Sequence, residues 1–156
     1  MSAISTQPKT SAVAQALQTL LADSYALLGQ LHLAHWNVEG PNFFQLHTAF
    51  QTQYEELFTA IDDLAERLRA LEVYAPGGLV TLAKMSSITE MASGPAPAKD
   101  FVAHLVDSYE IVIASSAALR AAAEAAGDLE TQDVAIGRVQ VHQKTLWMLK
   151  SFLKNL

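Results

Sequence analysis

The sequence contains no cysteine. Thiolate catalysis, iron–sulfur clusters and disulfide scaffolding are thereby excluded, and the composition suits a reducing compartment. Basic residues are short as well: 10 Lys and Arg stand against 16 Asp and Glu, for a net charge of −6. Such a chain does not draw phosphate backbones to itself over long range, although it can gather cations. Long apolar runs are missing, and charge-free stretches such as Ser24–Val38 are too short and too polar to span a bilayer. Met1–Thr10 has neither the basic nor the apolar region of a signal peptide, so a cytoplasmic protein without membrane attachment is expected. Charged residues make up only 17% against 51% hydrophobic, which excludes a disordered chain. At 156 residues one domain can bury its own core without a structural metal.

Strand signals are nearly missing too. What is present is Leu, Ala, Gln and Glu, with apolar residues recurring at three- and four-residue spacing, the pattern of amphipathic helices. A first helix is predicted from about Ser11 to Val38, with Val13, Leu17, Leu20, Leu21, Leu27, Leu28 and Leu31 facing the core. Gly40-Pro41 breaks it and Asn42 is placed to cap a second helix over about Phe43–Leu71. Tyr74–Pro95 reads as a connection, within which Leu79–Met85 can form a short extra helix. A third helix follows from about Ala98 to Ala126, its Ala-rich Ala114–Ala126 stretch suggesting close helix packing. Gly127 ends that helix, and Asp128 or Thr131 starts a fourth that runs to about Leu153. Four long helices with one long middle connection describe an all-α, ferritin-like four-helix bundle over residues 11–156, preceded by a flexible tail at 1–10.

The second helix carries an unusual stripe. At about 100° per residue, His47, Gln51, Phe58, Asp62 and Glu66 lie close together around it, with Glu55 beside them. Leu46, Phe50, Tyr54, Leu57, Ile61, Leu64 and Leu68 make its apolar face. Polar side chains beside such a face are either solvated interface residues or metal ligands. Length sharpens the choice: His47 and Asp62 sit about 22 Å apart along one helix and cannot share an ion there. Asp62 and Glu66, four apart, can grip one cation together, and His35 and His47 on facing helices can form a second half-site. A second copy packed across a two-fold axis would bring the halves together, giving two sites per dimer. A metal site inside one ferritin-like bundle needs Glu-x-x-His, and the sequence contains none. Imidazole with carboxylate is a suitable donor mixture for Fe(II), without by itself excluding Zn or Mn.

The segment His35-Trp36-Asn37-Val38-Glu39-Gly40, followed by Asn42-Phe43, Leu46-His47, Phe50, Tyr54, and Asp62 with Ala65-Glu66-Arg67, strongly resembles the signature of the Dps family. The resemblance implies a dodecameric shell with iron-oxidising sites at its two-fold interfaces, in a bacterial cytoplasm and potentially at the nucleoid. It implies His35 and His47 as ligands from one subunit, and Asp62 and Glu66 from its neighbour. Arg67 would orient the acids by ion pairing. Trp36 and Trp147 would lie near the site to trap stray radicals, the alternative being that they are core aromatics. The implied chemistry is oxidation of paired Fe(II) by hydrogen peroxide, with oxygen as a slower oxidant, and storage of ferric iron against oxidative stress. Fe(II) would pass through acidic three-fold pores near the start of the last helix, where Asp128 and Asp133 fall; Asp128 serves equally as a helix cap. One departure stands out: the family places an Asp four residues after the second His, and here that residue is Gln51. A neutral amide is the weaker ligand, and Glu55, one turn on, is the residue placed to compensate.

The remaining polar positions read more plainly. His104, Asp107 and Glu110 share one helix face and fit a solvated surface better than a second metal site. His32 reads as interface or surface, and His142 as packing or hydrogen bonding. Two alternatives compete with the iron reading. One is a shell with a weakened or vestigial metal site, which Gln51 favours. The other is a DNA-binding protection protein, disfavoured because twelve copies at −6 carry about −72.

Overall fold

The computed structural model describes residues 11–154, so the tail expected at 1–10 lies outside the described residues. Ser11 opens α1 (Ala12–Asn37), its hydroxyl accepting a hydrogen bond from the Ala14 N–H at 3.2 Å. Gly40, at φ 101°, makes the turn that a side chain would strain, and the Phe43 N–H closes it on the Gly40 carbonyl. α2 (Phe43–Ala70) follows. Asn42 occupies its cap position, yet its side chain makes no capping bond there, so the capping role expected of it is not filled. The short α3 (Leu79–Met85) interrupts the connection as predicted. α4 (Ala98–Ala126) ends at Gly127 in the left-handed conformation, φ 69°. Asp128 then caps α5 (Leu129–Leu153), accepting from the Thr131 N–H at 3.0 Å and its hydroxyl at 2.6 Å.

α1 packs against α2, α3 and α4, and α4 against α5. All seven core residues expected on α1 are buried, as are Leu46, Phe50, Leu57, Ile61, Leu64 and Leu68 on α2; Tyr54 is half-buried. Each fully buried Leu or Phe contributes roughly 1.5–3 kcal/mol. α4 is long and apolar enough to cross a membrane, but Val102, Leu105, Val112 and Leu119 are buried inside the bundle. The Ala-rich end of α4 departs from expectation. Ser116, Leu119 and Ala123 are buried, whereas Ala114, Ala118, Ala121, Ala125 and Ala126 face outward in the single chain. Only one stripe of a helix can face its neighbours, and alanine elsewhere contributes helix propensity instead.

Two buried polar residues on α1 fasten the connection between α2 and α4. Asp23, fully buried, accepts from the Ser86 hydroxyl at 2.9 Å, the Ser87 N–H at 2.8 Å, and the Ser115 hydroxyl of α4. Gln30 Oε1 accepts from the Met91 N–H and pairs with His104 Nε2, each at 2.9 Å. The seam between α2 and α5 is spanned by long polar side chains. Arg138 grips Glu56 with both ends of its guanidinium at 2.5 and 2.9 Å, and Arg67 reaches Asp128 at 2.9 Å.

Candidate metal centre

His35 lies in the last turn of α1 and His47 near the start of α2, so the short Gly40 turn brings them together. Their rings stack at 3.7 Å between centroids. His35 Nδ1 lies 2.8 Å from the His47 carbonyl oxygen, and His47 Nδ1 lies 2.8 Å from the His35 carbonyl oxygen. A carbonyl only accepts, so each Nδ1 carries a proton and donates it. In the neutral rings both Nε2 atoms are then left with their lone pairs, the form in which histidine ligates a metal. Two backbone carbonyls, with no carboxylate between them, thus fix the tautomer and orientation of both rings.

An aromatic collar backs the pair. Phe43 stacks on His47 at 4.9 Å, and Tyr54 meets His35 edge-on at 5.2 Å. His32 lies 4.5 Å from Tyr54 and stacks on Trp36 at 5.2 Å. Burial, then the nearby His35, pushes the His32 imidazole below its ordinary pKa. His32 thus joins the aromatic side of the pair through its ring contacts with Tyr54 and Trp36.

Asp62 and Glu66 lie one turn apart on α2, both exposed. Asp62 borders an open groove of about 600 Å³ whose apolar walls include Tyr25, Leu28, Phe58 and Leu79. Among the described residues no three His, Asp or Glu side chains come together to hold a metal ion. One chain therefore keeps the His35–His47 pair apart from Asp62 and Glu66. Gln51 is exposed as well, and its Nε2 donates to Glu55 Oε1 at 2.7 Å.

Residues 14–156 match the ferritin-like domain family. The DNA protection during starvation protein 2 of Bacillus anthracis is 33% identical over 143 residues, covering 92% of this chain and 97% of the relative. The chain belongs to the Dps family. Among solved structures, Dps from Staphylococcus aureus superposes with a TM-score of 0.88 at 32% identity, covering 92% of this chain and 96% of that one. A Dps protein from Vibrio cholerae O1, described as a member of a broad superfamily of ferritin-like diiron-carboxylate proteins, gives 0.87 at 29% identity, covering 91% and 89%.

Within this Dps frame several sequence expectations change. Arg67 does not pair with Asp62 or Glu66; Nε donates to the Thr131 hydroxyl at 2.8 Å and a terminal nitrogen to Asp128. Asp128 is therefore committed to capping α5 and to Arg67. Burial alone would raise its carboxyl pKa, but the Thr131 hydrogen bonds and the Arg67 charge hold it below the usual range. Asp133 is the exposed member of the predicted pore pair. Trp36 and Trp147 are not core aromatics, being 69% and 65% exposed. The His104 face divides between structural bonds: His104 meets Gln30, and Glu110 pairs with Lys150 at 2.5 Å.

His142 packs as expected but belongs to a network that the sequence did not disclose. It is 1% exposed, its ring lies 5.6 Å from that of Tyr109, and its Nε2 faces the Arg138 guanidinium at 3.4 Å. Burial, then the Arg138 charge, pushes its pKa down to about 3. The Tyr109 hydroxyl donates to Gln53 Oε1 at 3.0 Å; burial, then Glu56, pushes its pKa well up. The positive charge in the bundle interior is thus a guanidinium already matched by Glu56. The one available signal was the four-residue spacing of Arg138 and His142 on α5.

Proposed function

We propose that this Dps-family chain oxidises Fe(II) with hydrogen peroxide at centres shared between two copies across a two-fold axis. Ferric iron is then stored in a closed, dodecameric shell. The observation that carries the reading is the reciprocal His35–His47 lock. It leaves two Nε2 lone pairs free, while the Asp62–Glu66 pair lies too far along α2 to join them. A second copy supplies the missing half. The same copy would cover Phe58 and Leu79, 69% and 74% exposed beside Asp62, an apolar surface that a monomer rarely leaves open.

The donor set suits iron as substrate. Imidazole nitrogens hold Fe(II), and the carboxylates of Asp62 and Glu66 favour the higher charge of Fe(III), so the pocket pulls the reaction forward. Two Fe(II) each give one electron to one peroxide. Its O–O bond breaks, and two protons complete two waters, so no hydroxyl radical is released. Protection of DNA then follows from removing Fe(II) and peroxide, not from contact, since a chain of net charge −6 repels phosphate.

Subunit mixing tests the sharing directly. His35→Ala and Asp62→Ala should each abolish rapid peroxide-driven Fe(II) oxidation in stopped flow. Co-refolding the two inactive variants should restore about one quarter of the wild-type rate, because half the dimers are mixed and each rebuilds one intact site. A mixture as inactive as its parents would refute a shared centre.

A further inference from the structure

Gln51 is where this chain departs from the family pattern, and the structure shows what holds it. Its amide nitrogen donates to Glu55 Oε1 at 2.7 Å, one helical turn further along α2. A carboxylate only accepts, so the nitrogen is the atom that faces Glu55. The oxygen, on the other branch of the planar amide, is left without a hydrogen-bond partner among the described residues. His47, with its free Nε2, stands one turn back along α2. The three residues follow one another at four-residue intervals along the exposed stripe of α2.

We infer that Glu55 is a positioning residue that turns the Gln51 amide so that its oxygen, not its NH2, faces the cation held by His47. A neutral oxygen ligand is thereby kept where the family has a charged one. Without Glu55 the amide rotates freely, and half its orientations point two N–H groups at a cation. The inference rests on the shared-centre reading. It predicts two classes of cation, one held by His35 with the partner's acids and a weaker one that depends on Gln51.

Anaerobic Co(II) titration of the assembled full-length protein, read by calorimetry, tests this without turnover. Glu55 and Gln51 are both exposed, so their variants should fold. Glu55→Ala and Gln51→Ala should each weaken the second class on the order of 10-fold or more, leaving the tight class unchanged. Glu55→Gln, which keeps an acceptor oxygen but loses the charge, should recover most of that affinity. Equal loss in Glu55→Ala and Glu55→Gln would mean that Glu55 acts by charge alone, and would overturn the proposal, as would an unchanged second class in either alanine variant or a single class in the wild type. Failure of the shared centre itself would look different: the tight class would then survive Asp62→Ala.

Discussion

Two histidine environments in this chain show opposite uses of polar groups. His35 and His47 sit at the edge of the bundle, with both Nδ1 atoms tied to backbone carbonyls and both Nε2 atoms left open. His142 sits in the interior, 1% exposed, facing Arg138 and Tyr109, with its charge supplied by neighbours and its own proton excluded. The first environment is oriented at one nitrogen of each ring and open at the other. The second is paired where its charge lies, Arg138 on Glu56, while His142 Nδ1 and Arg138 Nε, both buried, have no hydrogen-bond partner among the described residues. Open nitrogens at the bundle edge are free to bind, whereas unpaired ones in the interior cost the fold free energy.

That contrast predicts which changes harm the fold and which harm the chemistry. The largest structural effect should come from Arg138→Met, which strands Glu56 and removes the cation beside His142. Glu56 is partly exposed and can recover some hydration, so a loss near the low end of the buried-pair range, about 3 kcal/mol, is expected in chemical denaturation. Asp62→Ala should do the reverse, silencing oxidation while leaving the unfolding midpoint in place, because its side chain is exposed. Equal destabilisation by both would erase the distinction between the two regions.

Acid should single out the interior histidine next. The folded-state pKa of His142 lies at about 3, below the ordinary 6.5. Below pH 6.5 the unfolded chain takes up a proton that the folded chain refuses, so stability present at neutral pH is lost as pH falls from 6.5 toward 3. At pH 5 the loss amounts to roughly 2 kcal/mol per chain. His142→Gln should flatten this part of the stability–pH curve; an unaltered slope in that variant would place the acid sensitivity elsewhere. The smallest effect belongs to Asp128→Ala, which removes the α5 cap and the partner of Arg67. A cost of about 1 kcal/mol is expected in thermal unfolding, with a normal iron oxidation rate. A collapse of that rate would return Asp128 to the role of iron passage.

Much of this molecule was legible before folding. Periodicity and punctuation located the five helices of the described residues, including the seven-residue α3, because apolar spacing and Gly or Pro breaks act locally. Helix rise alone separated His47 from Asp62. Illegible were the contacts of residues far apart in sequence. Nothing near Asp23 announces that it will fasten Ser86, Ser87 and Ser115. Nothing near Arg67 says that it will prefer Asp128, 61 residues on, to the acid beside it. The capping of α2 by Asn42 failed for a local reason: its backbone, at φ −99° and ψ 15°, lies outside the extended conformation of a capping residue.

The sequence by itself determined a helical bundle with its metal-binding residue types divided between two helices, since composition and rise per residue are properties of the chain alone. Only the tertiary structure decided which nitrogen of each histidine is free, where Arg67 and Arg138 spend their charge, and how Gln51 is held. Those outcomes depend on hydrogen-bond geometry between segments that meet only after folding.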